Sequence, residues 1–375
     1  MKMRKNHFAR LRQLFAVVAA SLLLVSCGGG GGGESAVNST GTGGGTPAPV
    51  PAPVSDSSAL NPGLSGKLWF KLEEGAKYYT ADANTGLETF LRSRETSTQF
   101  YRPAPDGVQY LAHSYDTGSG TTTVKVYNKA STTVQTGFTL SGWVTDYRFS
   151  PDGRYIGLLL SDTFENSRVS TTNPNVNRSV YIVDISDLNN PKEVPGLGDG
   201  EGDAFVSAFG WLPDNRYIYL RLKDRALIVG SPKVAGGAEQ VVGTITVPAG
   251  KALSSALEVH PDGTQLAVVF NWVEDALPKS DIWVTTLQGG NPERVSSSGI
   301  ATLVAWSPDG NYLAVRQDTG SACVAGGCFA HCTMQYMPRA ARNYSEAQAS
   351  PIRVYESSTV TPETLSCRRE VFWTR

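Results

Sequence analysis

One short pattern recurs five times along the chain and limits the folds available to it more than any other feature. Each copy is an apolar segment, then Pro-Asp-Gly or Pro-Asp-Asn, then a second apolar segment. The aspartates of the copies are Asp106, Asp152, Asp214, Asp262 and Asp309, with spacings of 46, 62, 48 and 47 residues. A period in the forties with a strand on each side of a turn predicts an array of similar β-sheet units.

The residues at the centre of the repeat predict a tight hairpin turn. Proline presets φ at the second turn position, aspartate is favoured at the third, and glycine adopts the left-handed conformation that follows. Asn215 replaces glycine in the third copy, and asparagine is the next most tolerant of positive φ. His260 stands where Ser150 and Ser307 stand in their copies, so we interpret it as a structural substitute. Turn formation accounts for the five aspartates without a catalytic role.

These motifs resemble the WD40-like repeats of TolB-like proteins and of the propellers of the prolyl oligopeptidase family, over about residues 66–375. The resemblance implies an all-β, six-bladed β-propeller, and we assign residues 63–375 to it. The five turns mark five blades. For the sixth, we predict strands at 68–71, 77–80 and 88–91, completed by a C-terminal strand at 369–375 that closes the ring and removes an open edge. Seven blades is the alternative.

Residues 1–26 have the pattern of a lipoprotein signal peptide. A basic segment without acidic residues precedes a 12-residue apolar run at 14–25, which is too short to span a bilayer as a helix. The run ends in Leu-Val-Ser-Cys, which resembles the bacterial lipobox and implies diacylation of Cys27. Gly28 follows where aspartate commonly signals retention in the inner membrane, so the resemblance points to the outer membrane, with its face left open.

Residues 27–62 are predicted to be a disordered tether between the lipid anchor and the propeller. They hold a run of six glycines, a Ser/Thr/Gly segment and a Pro-Ala-Pro-Val-Pro-Ala-Pro stretch, none of which can bury a core. A flexible coil of this length reaches roughly 30–35 Å. The folded part is therefore expected to stand clear of the lipid surface.

The charge balance argues against nucleic acid as a partner. The whole chain has 33 basic and 34 acidic residues, and five of the basic ones precede Cys27. The mature chain then has 28 basic and 34 acidic residues, a formal net charge of −6. Phosphate contacts need clustered lysine and arginine, and the sequence has no such cluster.

Two insertions and four cysteines interrupt the repeat. The polar segment 161–177 and the segment 318–350 are predicted to project as loops, and loops on a rigid scaffold often carry recognition; lineage-specific decoration is the alternative. The remaining cysteines are Cys323, Cys328, Cys332 and Cys367. An even number in an exported chain favours disulfides. A metal site including His331 is the alternative, although its spacing does not match the usual zinc pairs.

The residues that catalysis would need are mostly missing, so we predict no catalytic site, no bound metal and no cofactor. The sequence lacks a Gly-x-Ser-x-Gly elbow. His113 falls on a predicted middle strand and is interpreted as a core or tunnel-lining residue. Asp199, Glu201 and Asp203 alternate with glycine, but Gly210 stands where an EF-hand needs a bidentate acid, so a solvated acidic turn is the favoured interpretation.

We therefore predict a cell-envelope lipoprotein whose propeller binds another envelope protein without catalysis. Binding or cleavage of a carbohydrate in the central funnel is the alternative. No segment resembles the separate N-terminal α/β domain of TolB, so the partners of TolB are not transferred to this chain. Four tryptophans can discriminate between the hypotheses, because burial in the blades would remove the best support for a sugar site: Trp143, Trp211, Trp272 and Trp306.

Overall fold

The structure is a computed structural model, in which the folded unit lies within Val54–Arg375. It describes residues 59–72, 77–93, 100–130, 133–161, 178–194, 206–221, 223–233, 239–324, 327–355, 361–365 and 371–375. Apart from one short 3₁₀ helix at Glu346–Gln348, the regular elements in these ranges are β-strands. None of the helices in the described part has the length and hydropathy required to cross a bilayer. The predicted all-β propeller arrangement is confirmed.

The strands follow one another in antiparallel runs, which we number as groups. Group 1 has β1 (Lys67–Leu72), β2 (Lys77–Asp82) and β3 (Glu88–Ser93), and group 2 has β4 (Phe100–Pro103), β5 (Gln109–Asp116), β6 (Thr121–Asn128) and β7 (Val134–Ser141). Group 3 has β8 (Trp143–Phe149), β9 (Tyr155–Ser161), β10 (Arg178–Asp184) and β11 (Lys192–Glu193). Group 4 has β12 (Val206–Trp211), β13 (Tyr217–Arg221), β14 (Ala226–Gly230) and β15 (Gln240–Ile245).

The second half of the chain continues the series. Group 5 has β16 (Ala252–Val259), β17 (Gln265–Glu274), β18 (Leu277–Thr286) and β19 (Gly289–Arg294), and group 6 has β20 (Ala301–Trp306), β21 (Tyr312–Val324), β22 (Gly327–Pro338) and β23 (Ser350–Pro351). A two-stranded ribbon, β24 (Arg353–Tyr355) and β25 (Pro362–Thr364), precedes β26 (Val371–Thr374). A short parallel bridge between β15 and β19 joins groups 4 and 5 into one eight-stranded sheet.

The repeat forms the hairpin between the first and second strands of groups 2 to 6. In the third group, the backbone N–H of Gly153 donates to the carbonyl of Ser150 at 2.9 Å, and Ser150 donates to the carbonyl of Tyr155 at 2.8 Å. Gly153 has φ of 71°, and Asn215 adopts the same conformation in group 4 with φ of 66°. The strand after the turn is deeply buried, and in β9 every residue is buried. This is the arrangement that its continuous apolar sequence predicts.

The core lies between neighbouring groups, because each sheet buries both faces. One apolar cluster packs group 2 on group 3, a second packs group 3 on group 4, and further clusters join groups 4 and 5 and groups 5 and 6. A tyrosine-rich cluster joins groups 1 and 2, and another joins group 6 to group 1. Gly157 illustrates how close the approach is, since a Cβ there would overlap the ring of Phe209 on the next group.

The first and last strands lie side by side. Lys67–Phe70 in β1 pairs antiparallel with β26, with Lys67 opposite Thr374 and Phe70 opposite Val371. The side chain of Asn61 adds a second long-range link, because its amide donates to the carbonyls of Ala83 and Arg353 and its oxygen accepts the N–H of Arg353. The N-terminal segment is thereby held against the ribbon, 292 residues away in sequence.

The second insertion differs from the sequence prediction. Residues 318–350 were expected to form a loop, but β21 and β22 continue as one long hairpin from Tyr312 to Pro338. The side chains of Gln317, Cys332 and Met334 are buried, which explains why this segment forms strands and not a projecting loop. Gly289 and Gly290 begin β19, so the turn between β18 and β19 falls just before them. Most of the first insertion, 162–177, lies outside the described residues.

Candidate functional site

The inner strands of the groups end at one shared cavity of about 260 Å³. The last residues of β4, β8, β12, β16 and β20 line its wall, and β26 contributes Phe372, Trp373 and Thr374. The prolines of the repeat turns complete the wall: Pro105, Pro151, Pro213, Pro261 and Pro308. The cavity therefore exists because each repeat delivers its inner strand and its turn to the same place.

On this wall, Arg102, Arg148 and Glu258 form a continuous charged network with Asp146, which lies beside them. Arg102 Nη1 lies 2.6 Å from Asp146 Oδ1, and Arg148 Nε lies 3.0 Å from Asp146 Oδ2. Arg148 also extends to Glu258, with Nη1 to Oε2 and Nη2 to Oε1 both at 2.8 Å. The ion pairs join groups 2, 3 and 5. Their side chains keep only 15–25% of their exposure, so the pairs are more strongly coupled than surface ion pairs.

The network shifts the pKa values of its members. Burial by itself would raise the pKa of the Asp146 carboxyl, but Arg148 and Arg102 outweigh burial and hold it below its usual range. Burial also opposes the charge of Arg148, yet Asp146 and Glu258 raise the pKa of that guanidinium. Burial and then the positive charge of Arg148 lower the pKa of Arg102. Arg102 is thus the less well compensated of the two cations.

The four tryptophans divide into two pairs. Trp211 and Trp306 are buried in the cavity wall, and their indole N–H groups donate to the carbonyls of Arg148 at 3.1 Å and Glu258 at 3.4 Å. Trp143 packs edge-on against the ring of Tyr115, and Trp272 lies beneath the ammonium of Lys251; both are half-buried and away from the cavity. The indole N–H groups of Trp211 and Trp306 are therefore already hydrogen-bonded and cannot donate to a sugar hydroxyl.

His260 links two neighbouring repeat turns. Its Nε2 lies 2.9 Å from the carbonyl of Gly310, and its Nδ1 contacts the backbone N–H and the carboxylate of Asp262. Its ring packs edge-on against Trp306 with centroids 4.7 Å apart. Hydrogen bonds, mainly from Thr264 and His260, outweigh burial and lower the pKa of Asp262. These contacts are those of a turn-bracing residue at the cavity wall.

His113 belongs to the core of group 2. It lies on β5, its ring packs edge-on against Tyr147 at 4.7 Å between centroids, and it is 6% exposed. Burial lowers its pKa to about 4. The imidazole is therefore neutral at ordinary pH, as a core residue requires.

The repeat aspartates are occupied by turn hydrogen bonds. Each accepts the backbone N–H two residues further on at 2.8–3.1 Å, in the turns of Asp106, Asp152, Asp214, Asp262 and Asp309. Asp152 and Asp309 also accept the hydroxyls of Ser150 and Ser307. None of these five carboxylates lines the cavity.

The other predicted sites are only partly within the described residues. Cys332 is buried and disulfide-bonded, and the backbones of Cys323 and Cys328 are paired across the β21–β22 hairpin. The structure does not describe the side chains of Cys323, Cys328 and His331, nor the residues Cys27 and Cys367. Asp199, Glu201 and Asp203 lie outside it as well. Within the described ranges, no three His, Cys, Asp or Glu side chains are grouped to hold a metal ion.

Sequence reasoning missed the charged network, although the repeat contains a signal for it. The residue four places before the turn aspartate is Arg102, Arg148, Gly210, Glu258 or Ala305, and all of these except Gly210 line the cavity. Gly210 occupies the same register in group 4, and a Cβ there would lie 2.9 Å from Cγ2 of Val259 on β16. Aligning the repeats on the turn aspartate and comparing the residues four places before it would have brought these positions together.

No protein-family model matches this chain, and no curated protein matches it. Among solved structures, the chain is similar to TolB from Acinetobacter baumannii, with 16% identity and a TM-score of 0.46 over 75% of this chain. It covers 65% of that protein's length.

It is also similar to a putative TolB from Agrobacterium tumefaciens, with 14% identity and a TM-score of 0.42 over 81% of this chain and 90% of that one. An oligogalacturonate lyase in complex with manganese has 15% identity and a TM-score of 0.39 over 71% of this chain and 70% of the lyase. These likenesses concern the fold, and nothing about function follows from them.

Proposed function

We propose that this chain is a non-enzymatic binding module of the cell envelope, which holds an extended segment of another envelope protein in the cavity where the inner strands meet. The observation that carries the proposal is the cavity itself, since every group delivers its inner strand to it. Binding sites in proteins are typically concave, mainly apolar and equipped with a few placed polar groups. Prolines, aromatic rings and the charged network supply these features here.

The chemistry of the wall favours binding over catalysis. Asp146 and Glu258 both form ion pairs with arginines. A general acid or base instead needs a carboxyl group that can reach the substrate and whose pKa lies near the working pH. Both ring nitrogens of His260 contact the backbone of repeat turns. The described wall residues thus lack an activated nucleophile with an adjacent base.

The scaffold of this proposal is a ring of six blades closed by β26. Six apolar clusters support it, because they join each group to the next and group 6 to group 1. The pairing of β26 with β1 supports closure. Six inner strands around one cavity agree with this count.

The envelope location rests on the signal segment. We propose lipid attachment at Cys27, export, and residence in the outer membrane, with residues 27–62 as the tether. Labelling growing cells with radioactive palmitate tests the anchor. Label is expected in the wild-type protein and absent from Cys27→Ser, and equal labelling of both would overturn the assignment.

A photo-crosslinking residue placed at the cavity tests the binding function. Arg375 is exposed and lines the cavity, whereas Val273 is exposed near the end of β17, eight residues or roughly 27 Å of extended strand beyond Gln265. Crosslinking to one envelope protein through position 375 and not through position 273 is expected. Crosslinking through position 273 alone, or through neither, would contradict the proposal.

A glycan ligand is the second candidate, and one observation favours it. Phe372 and Trp373 are half-buried aromatic rings on the cavity wall, and such rings can stack on sugars. Against it, the indole N–H groups of Trp211, Trp306 and Trp373 all donate to backbone carbonyls. Screening the purified protein against envelope glycans, with cavity and surface variants in parallel, discriminates between the two.

A further inference from the structure

The two arginines of the charged network, Arg102 and Arg148, differ in how fully their donors are used. Arg148 directs Nε to Asp146, directs Nη1 to Glu258, and places Nη2 near Glu258 and the carbonyl of Leu257. Arg102 makes one such contact, from Nη1 to Asp146. Within the described part of the chain, Nε and Nη2 of Arg102 have no hydrogen-bond acceptor. Arg102 therefore keeps one edge of its guanidinium available.

The carboxylates of Asp146 and Glu258 cannot accept hydrogen bonds from that edge of Arg102. Oδ1 of Asp146 accepts Arg102 Nη1 and the backbone N–H of Tyr147, while Oδ2 accepts Arg148. Both oxygens of Glu258 lie against Arg148. The ring of Phe372 lies 4.8 Å from the Arg102 guanidinium, which supports a planar cation without consuming its donors.

We propose that Arg102 anchors a carboxylate of the ligand, and that this carboxylate is an aspartate or glutamate side chain of the peptide segment bound in the cavity. The inference rests on the proposed function and specifies its ligand. Nε and Nη2 form a planar pair of donors that matches the two oxygens of a carboxylate. The lowered pKa of Arg102 agrees with a cation that an added anion would stabilise.

The charge of the site favours a single negative charge. Within the network, the charges of Arg102, Arg148, Asp146 and Glu258 sum to zero. A bound carboxylate gives these groups a net charge of −1, whereas a phosphate dianion would give −2 beside the half-buried carboxylates of Asp146 and Glu258. The size of the site agrees, because about 260 Å³ lies below the range of roughly 300–1,000 Å³ typical of pockets for whole small molecules. One or two side chains of a longer chain fit this description.

Panning a random peptide library against the full chain tests the inference. The enriched peptides are expected to share an acidic residue at a fixed position. One such peptide and its counterpart with Glu→Gln or Asp→Asn are then titrated against the wild type, Arg102→Gln, Arg102→Lys and Arg216→Gln. Arg216 is the matched control, because it lies at a repeat turn, pairs with Asp214 and does not line the cavity.

The wild type should bind the acidic peptide about 10- to 100-fold more tightly than the amide peptide, as expected for charge-assisted bidentate bonds. Arg102→Gln should abolish this preference with little effect on the amide peptide. Arg102→Lys, which retains the charge and the contact with Asp146, should keep part of the preference. Arg216→Gln should behave as the wild type. Thermal unfolding of each variant checks that it is folded. If Arg102→Gln does not fold, the comparison of the wild type with Arg102→Lys tests the inference.

Failure of the inference and failure of the proposed function give different results. If peptides bind and a cavity-filling Val259→Trp abolishes binding, but the acidic and amide forms bind equally, the carboxylate anchor is wrong and the proposed function stands. If no enriched peptide responds to Val259→Trp, the proposed function is wrong. If uronic acid oligosaccharides bind with the predicted Arg102 dependence and peptides do not, the ligand class is wrong.

Discussion

Trp69 and Thr374 are joined by a hydrogen bond from the indole Nε1 to the hydroxyl Oγ1, 3.1 Å long, across 305 residues of chain. Both residues are almost fully buried. The bond lies beside the backbone pairing of β1 with β26 and fixes the register of the two strands. The stability of the whole sheet in group 1 therefore depends on a side-chain contact between its first and last strands.

Replacing Thr374 with valine should lower the free energy of unfolding by about 1–3 kcal/mol, because the buried indole N–H loses its acceptor. Thr374→Ser retains the hydroxyl and should cost clearly less. Chemical denaturation of both variants measures the difference. A larger loss for Thr374→Ser than for Thr374→Val would show that packing of the methyl group, and not the hydrogen bond, matters at this position.

Gly157 should tolerate no side chain. Its position on β9 places a Cβ against the ring of Phe209 in group 4, so Gly157→Ala should destabilise the protein by about 1–3 kcal/mol through overpacking. Combining it with Phe209→Leu should recover part of the loss, since the smaller side chain makes room. A double-mutant cycle by urea denaturation tests this, and strictly additive effects would contradict direct contact.

The turn glycines should differ in their sensitivity to alanine. Gly153 and Gly310 have nearly the same φ, 71° and 73°, but a Cβ at Gly153 meets nothing within 4 Å, whereas one at Gly310 lies 2.5 Å from the His260 ring. Gly153→Ala should cost about 1–2 kcal/mol for the left-handed conformation alone. Gly310→Ala should cost about 1 kcal/mol or more beyond that, because His260 must move. Melting temperatures of the pair provide the measurement.

His113 should make stability depend on pH. Its pKa is lowered to about 4 by burial, against about 6.5 when unfolded. The unfolded state therefore takes up a proton first as pH falls. The contribution of the neutral imidazole is complete above pH 6.5 and is lost between pH 6.5 and 4, up to about 3 kcal/mol. His113→Phe keeps the ring against Tyr147 and should flatten this part of the profile; an unchanged slope would assign the effect elsewhere.

The local structure of the repeat was predictable, because its residues act at short range. Pro-Asp-Gly specifies the turn, and even the substitutions Asn215 and His260 could be interpreted from φ and from their position in the repeat. The sheet pairing of 371–374 with 67–70 could also be anticipated, because an unpaired first blade needs a partner strand. The inferences about the turns depend on one copy of the motif at a time.

The candidate site was less accessible to sequence reasoning. Arg148 and Glu258 lie 110 residues apart, and their contact depends on the arrangement of three groups. The second insertion was misjudged for a related reason, since Gln317 and Met334 are buried by pairing within a long hairpin and their sequence has no regular apolar alternation. A side chain's partners on another sheet are set by the arrangement of the sheets and not by local pattern.

The pairing of β1 with β26 also has a consequence for how the protein is made. β1 is synthesised near the start of the folded region, yet its partner arrives about 300 residues later, so the first sheet has an open edge during most of synthesis. Contacts of such long range carry the largest loop-closure cost and slow the final step of folding. Until that step, an exposed strand edge can pair with other chains. The nascent protein should therefore depend on a holding chaperone until β26 has been made.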